Sequence, residues 1–267
     1  MEILQAILLG IIEGFTEFLP ISSTGHLIVA EDLIGYKDTA EIFAVVTQTG
    51  AIAAVIWYYR LDLAHRIYDL IRRDSDAIKF WANLAIATLP VAVIGFLARD
   101  LFGKFAVASV IAVALIVGGI LMWLIEVYHK TPKNITGHAK LEKITTVQAV
   151  KIGLFQVIAL IPGTSRSAAT IMGGLLSGMD RVTATTFSFY LSMPILLLAG
   201  GYQLYSGKDN LTSISGGGPA LVAGTIAAFI AALLTIRWFL HYIAHRDFKP
   251  FAYYRVILGI IILLAIA

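Results

Sequence analysis

The chain has 267 residues, of which 58% are hydrophobic and 14% are charged, and its net charge is +3. Soluble domains contain about 45–50% apolar and about 25% charged residues, so lipid is the expected solvent for most of this chain. The absence of cysteine excludes disulfides and thiolate metal sites.

The first apolar region, residues 1–34, is predicted to be a re-entrant helical hairpin. It contains Glu2, Glu13 and Glu17 and lacks a basic start, so a cleavable signal peptide is not expected. Segment 20–25, which holds a proline and a glycine, interrupts the region and leaves two halves that are too short to span a bilayer. Non-helical backbone at membrane depth survives only where it is buried in protein or lines a wet cavity.

A second broken region, residues 148–178, is interrupted at 162–167 and predicts a second re-entrant hairpin. Six other apolar segments have about the 20 residues that a membrane-spanning helix needs. Each half of the chain then holds one hairpin and three spans, as a first repeat (1–128), a connecting loop (129–147) and a second repeat (148–267). The six predicted spans are 41–60, 80–98, 105–128, 183–205, 219–243 and 251–267.

The two halves show a weak internal similarity, in which Pro20-x-x-Ser23 aligns with Pro162-x-x-Ser165. Three spans are an odd number, so the second half would enter the membrane from the opposite side. The predicted fold is therefore an all-α integral membrane protein, with six transmembrane helices and two re-entrant hairpins in an inverted-topology repeat.

Lysine and arginine residues lie mostly on one side of this topology. By the positive-inside rule that side is cytoplasmic, which places both termini and the mouth of the first hairpin outside. We expect a multi-pass protein of the cytoplasmic membrane whose site faces the periplasm or the cell exterior. Because the basic residues are spread along the cytoplasmic loops, as the topology requires, they do not indicate a nucleic-acid-binding surface. Nucleic acid is therefore not an expected partner. The basic loops are 60–79, 128–151, 178–183 and 244–250, whereas the other side holds only Lys37, Arg99, Lys104 and Lys208.

Two glutamates in the first hairpin predict a cation site. Glu13 and Glu17 are four residues apart, so on a helix they share one face, about 5–6 Å from each other. Ionised carboxylates at bilayer depth cost roughly 2.5–3.5 kcal/mol each. A divalent cation would compensate this charge, with Mg²⁺ as the first expectation and Ca²⁺ as the alternative. A protonated glutamate in a water-filled vestibule would also explain the pair.

The break of the first hairpin carries Ser22, Ser23, Thr24 and His26. Hydroxyl groups at this position could simply cap the following helix, which explains one of them well. A histidine beside hydroxyls also suits a nucleophile with a general acid or base. Because the cluster lies near the two glutamates in the sequence, it indicates a functional role rather than helix capping alone.

The break of the second hairpin carries Ser165, Arg166 and Ser167, followed by Thr170. Arginine offers a planar fork of donors that fits phosphate oxygens, and the start of the next helix favours an anion. Arg166 could instead only neutralise the glutamates. Carboxylates, a fixed cation, hydroxyls and an imidazole together predict metal-assisted phosphoryl transfer.

Two other classes of protein explain parts of this pattern. A lipid flippase or secondary transporter can have the same inverted-repeat architecture, but translocation does not require hydroxyls and a histidine beside carboxylates. A structural scaffold leaves the buried charges of both hairpins unexplained.

Segments 13–26 and 162–170 resemble the two signature motifs of the undecaprenyl-diphosphate phosphatase family, also called the bacitracin-resistance family. The likeness covers essentially the whole chain, including Phe43, Gln48 and Tyr254-Arg255, and is weakest in the connecting loop. The resemblance implies hydrolysis of undecaprenyl diphosphate to undecaprenyl phosphate and inorganic phosphate outside the cytoplasmic membrane, with a divalent cation. It also implies recycling of the lipid carrier for cell-wall synthesis, and bacitracin resistance.

The resemblance also implies roles for individual residues. Glu13 and Glu17 would bind the metal or the diphosphate, and Arg166 would bind phosphate. Ser23 or His26 would attack or handle a proton, unless a water does the attacking. Oligomeric state stays open, and membrane lipids are the expected surroundings. The predicted catalytic residues are Glu17, Ser23, His26 and Arg166; the predicted substrate-binding residues are Ser22, Thr24, Ser165, Arg166, Ser167 and Thr170; the predicted metal ligands are Glu13 and Glu17.

Overall fold

The computed structural model describes residues 3–35, 42–103, 105–129, 131–132, 137–206 and 217–265. Across these ranges the chain forms helices and loops without a β-strand, which confirms an all-α protein. Glu2, Lys37, Lys104, Lys130, Lys133 and Lys208, which enter the predictions above, lie outside these ranges. The α-helices in the described ranges are α1 (Ile3–Thr16), α2 (Ser23–Ile34), α3 (Ile42–Tyr58), α4 (Arg60–Ile71), α5 (Ser75–Leu97), α6 (Arg99–Gly103), α7 (Ala108–Tyr128), α8 (Thr146–Ile158), α9 (Arg166–Leu176), α10 (Arg181–Ser206), α11 (Gly217–His245) and α12 (Lys249–Ala265).

Four helices, α5, α7, α10 and α11, are long and apolar enough to cross a membrane. They make this a multi-pass membrane protein. The other two predicted spans coincide with α3 and α12, which have 17 residues each. Every predicted span thus falls on a helix, with end points that differ by a few residues.

The two broken regions form pairs of short helices, as predicted. Helices α1 and α2 have 14 and 12 residues, and α8 and α9 have 13 and 11. At 1.5 Å per residue, none of them reaches across about 30 Å of hydrocarbon. A capping box between Thr145 and Gln148 starts α8.

The two breaks end in the same backbone conformation. Ser22, with φ 70° and ψ 102°, caps α2, and Ser165, with φ 71° and ψ 116°, caps α9. Each side chain accepts a hydrogen bond from the backbone N–H three residues later, at 3.4 Å from Gly25 and 3.2 Å from Ala168. Positive φ is uncommon for serine, so the match is specific. The structural equivalence therefore pairs Ser22 with Ser165, whereas the alignment on the prolines pairs Ser23 with Ser165. The two differ by one residue because the cap, and not the proline, determines where each helix begins.

Each hairpin packs mainly on the middle span of the opposite half. Helix α1 packs along α11, and α8 packs along α5. Glycine permits the close approach of α1, because a Cβ on Gly10 or Gly14 would overlap the carbonyl oxygens of Gly224 and Ala228. Helix α3 also packs along α11, whereas the corresponding contact of α10 with α5 is smaller.

Helix α4 lies in a stretch that was predicted only as the basic loop 60–79. Arg66 forms an ion pair of 2.7 Å with Asp62 one turn earlier, and Tyr190 of α10 donates its hydroxyl hydrogen to the same carboxylate. The helix buries none of its residues fully, so it packs weakly on the bundle. It is too polar to have been recognised by an apolar-span criterion.

Candidate active site

An ion pair joins the two breaks. Nη2 of Arg166, at the start of α9, lies 2.9 Å from Oε1 of Glu17, at the end of α1. Both side chains are buried, with exposures of 11% and 6%. The structure thereby brings together the two sequence motifs that were predicted to form one site.

The second glutamate lies one helical turn before the first. Glu13 is 2% exposed, and the backbone N–H of Glu17 donates to its carbonyl at 2.9 Å. The side chain of Gln48 in α3 lies beside that of Glu13. Two carboxylates and one guanidinium leave one excess negative charge when both glutamates are ionised, so the site attracts a further cation.

No cluster of three or more His, Cys, Asp or Glu side chains able to hold a metal occurs in the described part of the chain. Among the described residues of this site, the carboxylates that could serve a cation are those of Glu13 and Glu17. This number suits Mg²⁺, which usually takes one or two carboxylates and completes its shell with waters and substrate phosphates.

Ser23 contacts the same carboxylate as the arginine. Its Oγ donates to Oε2 of Glu17 at 2.9 Å, whereas Oε1 of Glu17 receives Arg166. One carboxylate therefore holds both a hydroxyl from the first break and a guanidinium from the second. A carboxylate hydrogen-bonded to a hydroxyl can accept its proton when that oxygen attacks.

His26 faces a different partner. Its Nδ1 lies 2.8 Å from the carbonyl of Ser22, which can only accept, so Nδ1 carries the hydrogen. Nε2 then accepts from the hydroxyl of Tyr254 at 2.7 Å, and the two rings stack with centroids 5.5 Å apart. Thr24, predicted to bind substrate, is exposed.

The Nε–H of Arg166 is an unused donor. Its Nη1 donates to the carbonyl of Ser188 in α10 at 3.1 Å, and Nη2 donates to Glu17. Its Nε is buried and has no hydrogen-bond partner in the protein. A buried N–H without a partner is unfavourable, and an oxygen of a ligand would satisfy it.

The other polar residues of the second break hold the loops in place. Ser167 donates to the carbonyl of Leu19 in the first break at 2.7 Å, and Ser165 lies 2.9 Å from Ser167. Thr170 lies 2.6 Å from the hydroxyl of Ser188. Their contribution to substrate binding stays a prediction.

Arg255 of α12 was not assigned a role from the sequence, although it is the largest fully buried side chain described. Its guanidinium donates to Pro20 of the first break at 3.1 Å and to Gly163 of the second at 3.3 Å. It also donates to the carbonyls of Leu115 and Ala114 in α7, at 3.4 and 3.2 Å. A charged residue inside an apolar C-terminal segment was the available signal. Gln48 and Ser188 carried no comparable signal.

The chain matches the family described as "Bacitracin resistance protein BacA" over residues 6–261. It is 44% identical to an undecaprenyl-diphosphatase of Polaromonas naphthalenivorans (strain CJ2), over 98% of this chain and 94% of that protein. It is also 44% identical to undecaprenyl-diphosphatases of Methylobacillus flagellatus and Nitrosomonas europaea, over 98% of this chain and 97% and 94% of those proteins. The chain therefore belongs to the BacA bacitracin resistance family.

Proposed function

We propose that this protein hydrolyses undecaprenyl diphosphate to undecaprenyl phosphate and inorganic phosphate. The reaction recycles the lipid carrier of cell-wall synthesis and confers resistance to bacitracin. The observation that carries the proposal is the shared carboxylate of Glu17, which holds Ser23 and Arg166 from opposite hairpins. The relatives named above carry the same activity in their names.

Arg166 is the residue that we assign to phosphate binding. Its Nε has no partner in the protein and would donate to a ligand oxygen, and a guanidinium pairs well with phosphate because its donors lie in one plane. The first turn of α9 adds backbone N–H groups and the positive end of the helix dipole. An anion at this place would also receive less repulsion from Glu17, whose charge Arg166 partly balances.

A divalent cation fits the glutamate pair. Glu13 and Glu17 would hold it, since both are buried oxygen donors and Arg166 is in direct contact with only one of them. Mg²⁺ and Ca²⁺ both prefer such oxygen ligands. The cation would supply positive charge that stabilises the developing charge on the phosphoryl oxygens.

Ser23 is the group that we assign to attack. Its Oγ forms a bond to the terminal phosphorus while its proton passes to Glu17, and the bond from that phosphorus to the bridging oxygen breaks. Undecaprenyl phosphate leaves. Water then attacks the phosphoserine, inorganic phosphate is released, and Glu17 returns the proton to the serine oxygen. His26, bound to Tyr254, stays a predicted proton-handling group.

The full topology belongs to the same proposal: six spans and two re-entrant hairpins, arranged as inverted repeats of residues 1–128 and 148–267. The matching caps at Ser22 and Ser165 support it, as does the reciprocal packing of α1 on α11 and α8 on α5. The distribution of basic residues supports an active site that opens to the periplasm or cell exterior.

Phosphate release from undecaprenyl diphosphate by the purified protein in detergent tests the proposal, with and without a chelator. A detergent solution has no transmembrane gradient, so release identifies an enzyme rather than a transporter. We expect release that a chelator abolishes and that added Mg²⁺ or Ca²⁺ restores. A folded protein that releases no phosphate but moves the lipid across liposome membranes would replace the phosphatase with a flippase.

A further inference from the structure

An apolar groove of about 440 Å³ runs along α7 beside the second break. Its residues on α7 extend from Ser109 to Leu121, about 18 Å of helix at 1.5 Å per residue. Three of them are about half exposed: Val113 at 51%, Val117 at 49% and Leu121 at 53%. The groove therefore opens sideways, where the hydrocarbon of the membrane would lie. Its opposite wall consists of Ile158, Ile161 and Thr164.

One end of this groove is formed by a residue that adjoins the candidate active site in the sequence. Thr164 immediately precedes Ser165 and Arg166, the residues that begin α9. Ala114 and Gly118 form the floor, and behind them lies the guanidinium of Arg255, which donates to the Ala114 carbonyl at 3.2 Å. A molecule at this end of the groove would thus contact Thr164, two positions before Arg166 in the sequence.

We propose that this groove binds the isoprenoid tail of the substrate next to its diphosphate. The inference rests on the proposed function and specifies its substrate site. Because Arg166 is only 11% exposed and lies among helices, a diphosphate bound to it must draw the first isoprene units out of the bulk lipid. The groove offers those units an apolar surface that ends at Thr164, two positions before the arginine in the sequence.

The size of the groove sets how much of the tail it holds. With each carbon group taken as about 30 Å³, the volume of a water molecule in the liquid, the groove accommodates roughly 15 heavy atoms. This corresponds to about three isoprene units of five carbons each. The remaining units of an undecaprenyl chain would extend into the membrane.

A second, larger cavity does not suit a hydrocarbon chain. It has a volume of about 880 Å³ and lies where α11 and α12 meet the start of α10. Arg181, Arg246, Asp247 and His245 line it, and burying such groups against an apolar tail is unfavourable. The apolar groove is therefore the better site for the tail.

Thiol protection tests binding without measuring activity. The chain contains no cysteine, so Val117→Cys places a single thiol in the groove and Val222→Cys places one on α11, where Val222 is 59% exposed outside the groove. A non-hydrolysable farnesyl methylenediphosphonate, with three isoprene units, should slow maleimide labelling at Val117→Cys by about fivefold or more and leave Val222→Cys unaffected. Unchanged labelling at Val117→Cys, or equal protection by the one-unit dimethylallyl analogue, would overturn the proposal.

Chain-length dependence provides the second test. The ratio of kcat/KM for farnesyl diphosphate to that for dimethylallyl diphosphate should fall about tenfold or more in Val117→Trp, because the indole fills the groove. Val222→Trp, the matched control, should keep the wild-type ratio. An unchanged ratio in Val117→Trp, in protein that still releases phosphate, would overturn the tail site alone. A wild-type protein that releases no phosphate from any prenyl diphosphate would instead contradict the proposed function.

Discussion

The guanidinium of Arg166 lies 2.9 Å from the carboxylate of Glu17, although 149 positions separate the two residues in the sequence. Each comes from the break of a different hairpin, and neither hairpin alone contains both a carboxylate pair and the arginine. The site therefore forms only when the fold places the two hairpins against each other. Changes that displace one hairpin relative to the other should therefore reduce activity even when they leave the site residues unaltered.

Replacing Arg166 with lysine should lower kcat/KM by about 100-fold. Lysine keeps the positive charge, but its three N–H donors share one nitrogen and do not reproduce the planar fork with which the guanidinium contacts Glu17, the Ser188 carbonyl and a phosphate oxygen. Initial rates of phosphate release measure the effect. Arg237→Lys, at an exposed position of α11, is the matched control, and near-normal activity of Arg166→Lys would remove the role of the planar fork.

Ser23→Ala should lower kcat by about 1000-fold, because the attacking oxygen is gone. Wild-type protein quenched in acid during turnover of a substrate labelled on its terminal phosphate should retain label on Ser23. Ser177→Ala is the control, since Ser177 bonds to Gly173 at the far end of α9. If Ser23→Ala is active and no phosphoprotein is trapped, water attacks the substrate directly.

Arg255→Met should reduce both the thermal stability and the activity, because four backbone carbonyls lose their donor and two of them belong to the breaks. Arg255→Lys should recover part of the stability but less of the activity, since one ammonium cannot reach Pro20 and Gly163 together with α7. The ratio of activity to Tm across the three proteins is the measurement. Full activity of Arg255→Met would show that the breaks hold their positions without it.

Gly14→Ala should destabilise the protein by about 1–3 kcal/mol, because the new methyl group would overlap the carbonyl of Ala228 and force α1 away from α11. Gly201→Ala is the matched control, since nothing lies within 4 Å of its Cβ position and alanine favours helix. Thermal unfolding in detergent compares them. Equal midpoints would show that α1 does not depend on this close approach.

Hydrophobicity and local breaks were sufficient to predict the helical skeleton. Apolar runs predicted the positions of six long helices, and the interruptions at 20–25 and 162–167 predicted the two hairpins, because neither signal depends on distant contacts. The spacing of Glu13 and Glu17 predicted a shared face for the same reason. The pairing of the two breaks was off by one residue, since the left-handed caps at Ser22 and Ser165 leave no direct mark in the sequence.

Contacts between distant segments could not be derived in this way. The approach of Gln48 to Glu13 and the donation of Arg255 to two breaks depend on how helices pack, which periodicity does not encode. The hydrogen bonds of His26 to Ser22 and Tyr254 likewise became visible only in three dimensions. Helix α4 escaped recognition because its charges resemble those of a cytoplasmic loop.

The central claim is that Glu17 and Arg166 act as one unit, and a double-mutant cycle tests it most directly. Phosphate release from undecaprenyl diphosphate would be measured for the wild type, Glu17→Gln, Arg166→Ala and the double variant. We predict that each single change lowers kcat/KM by about 1000-fold and that the double variant is scarcely worse than either, because residues in one network do not contribute additively. Losses that multiply in the double variant would contradict the account, since they would mean that the two residues act independently.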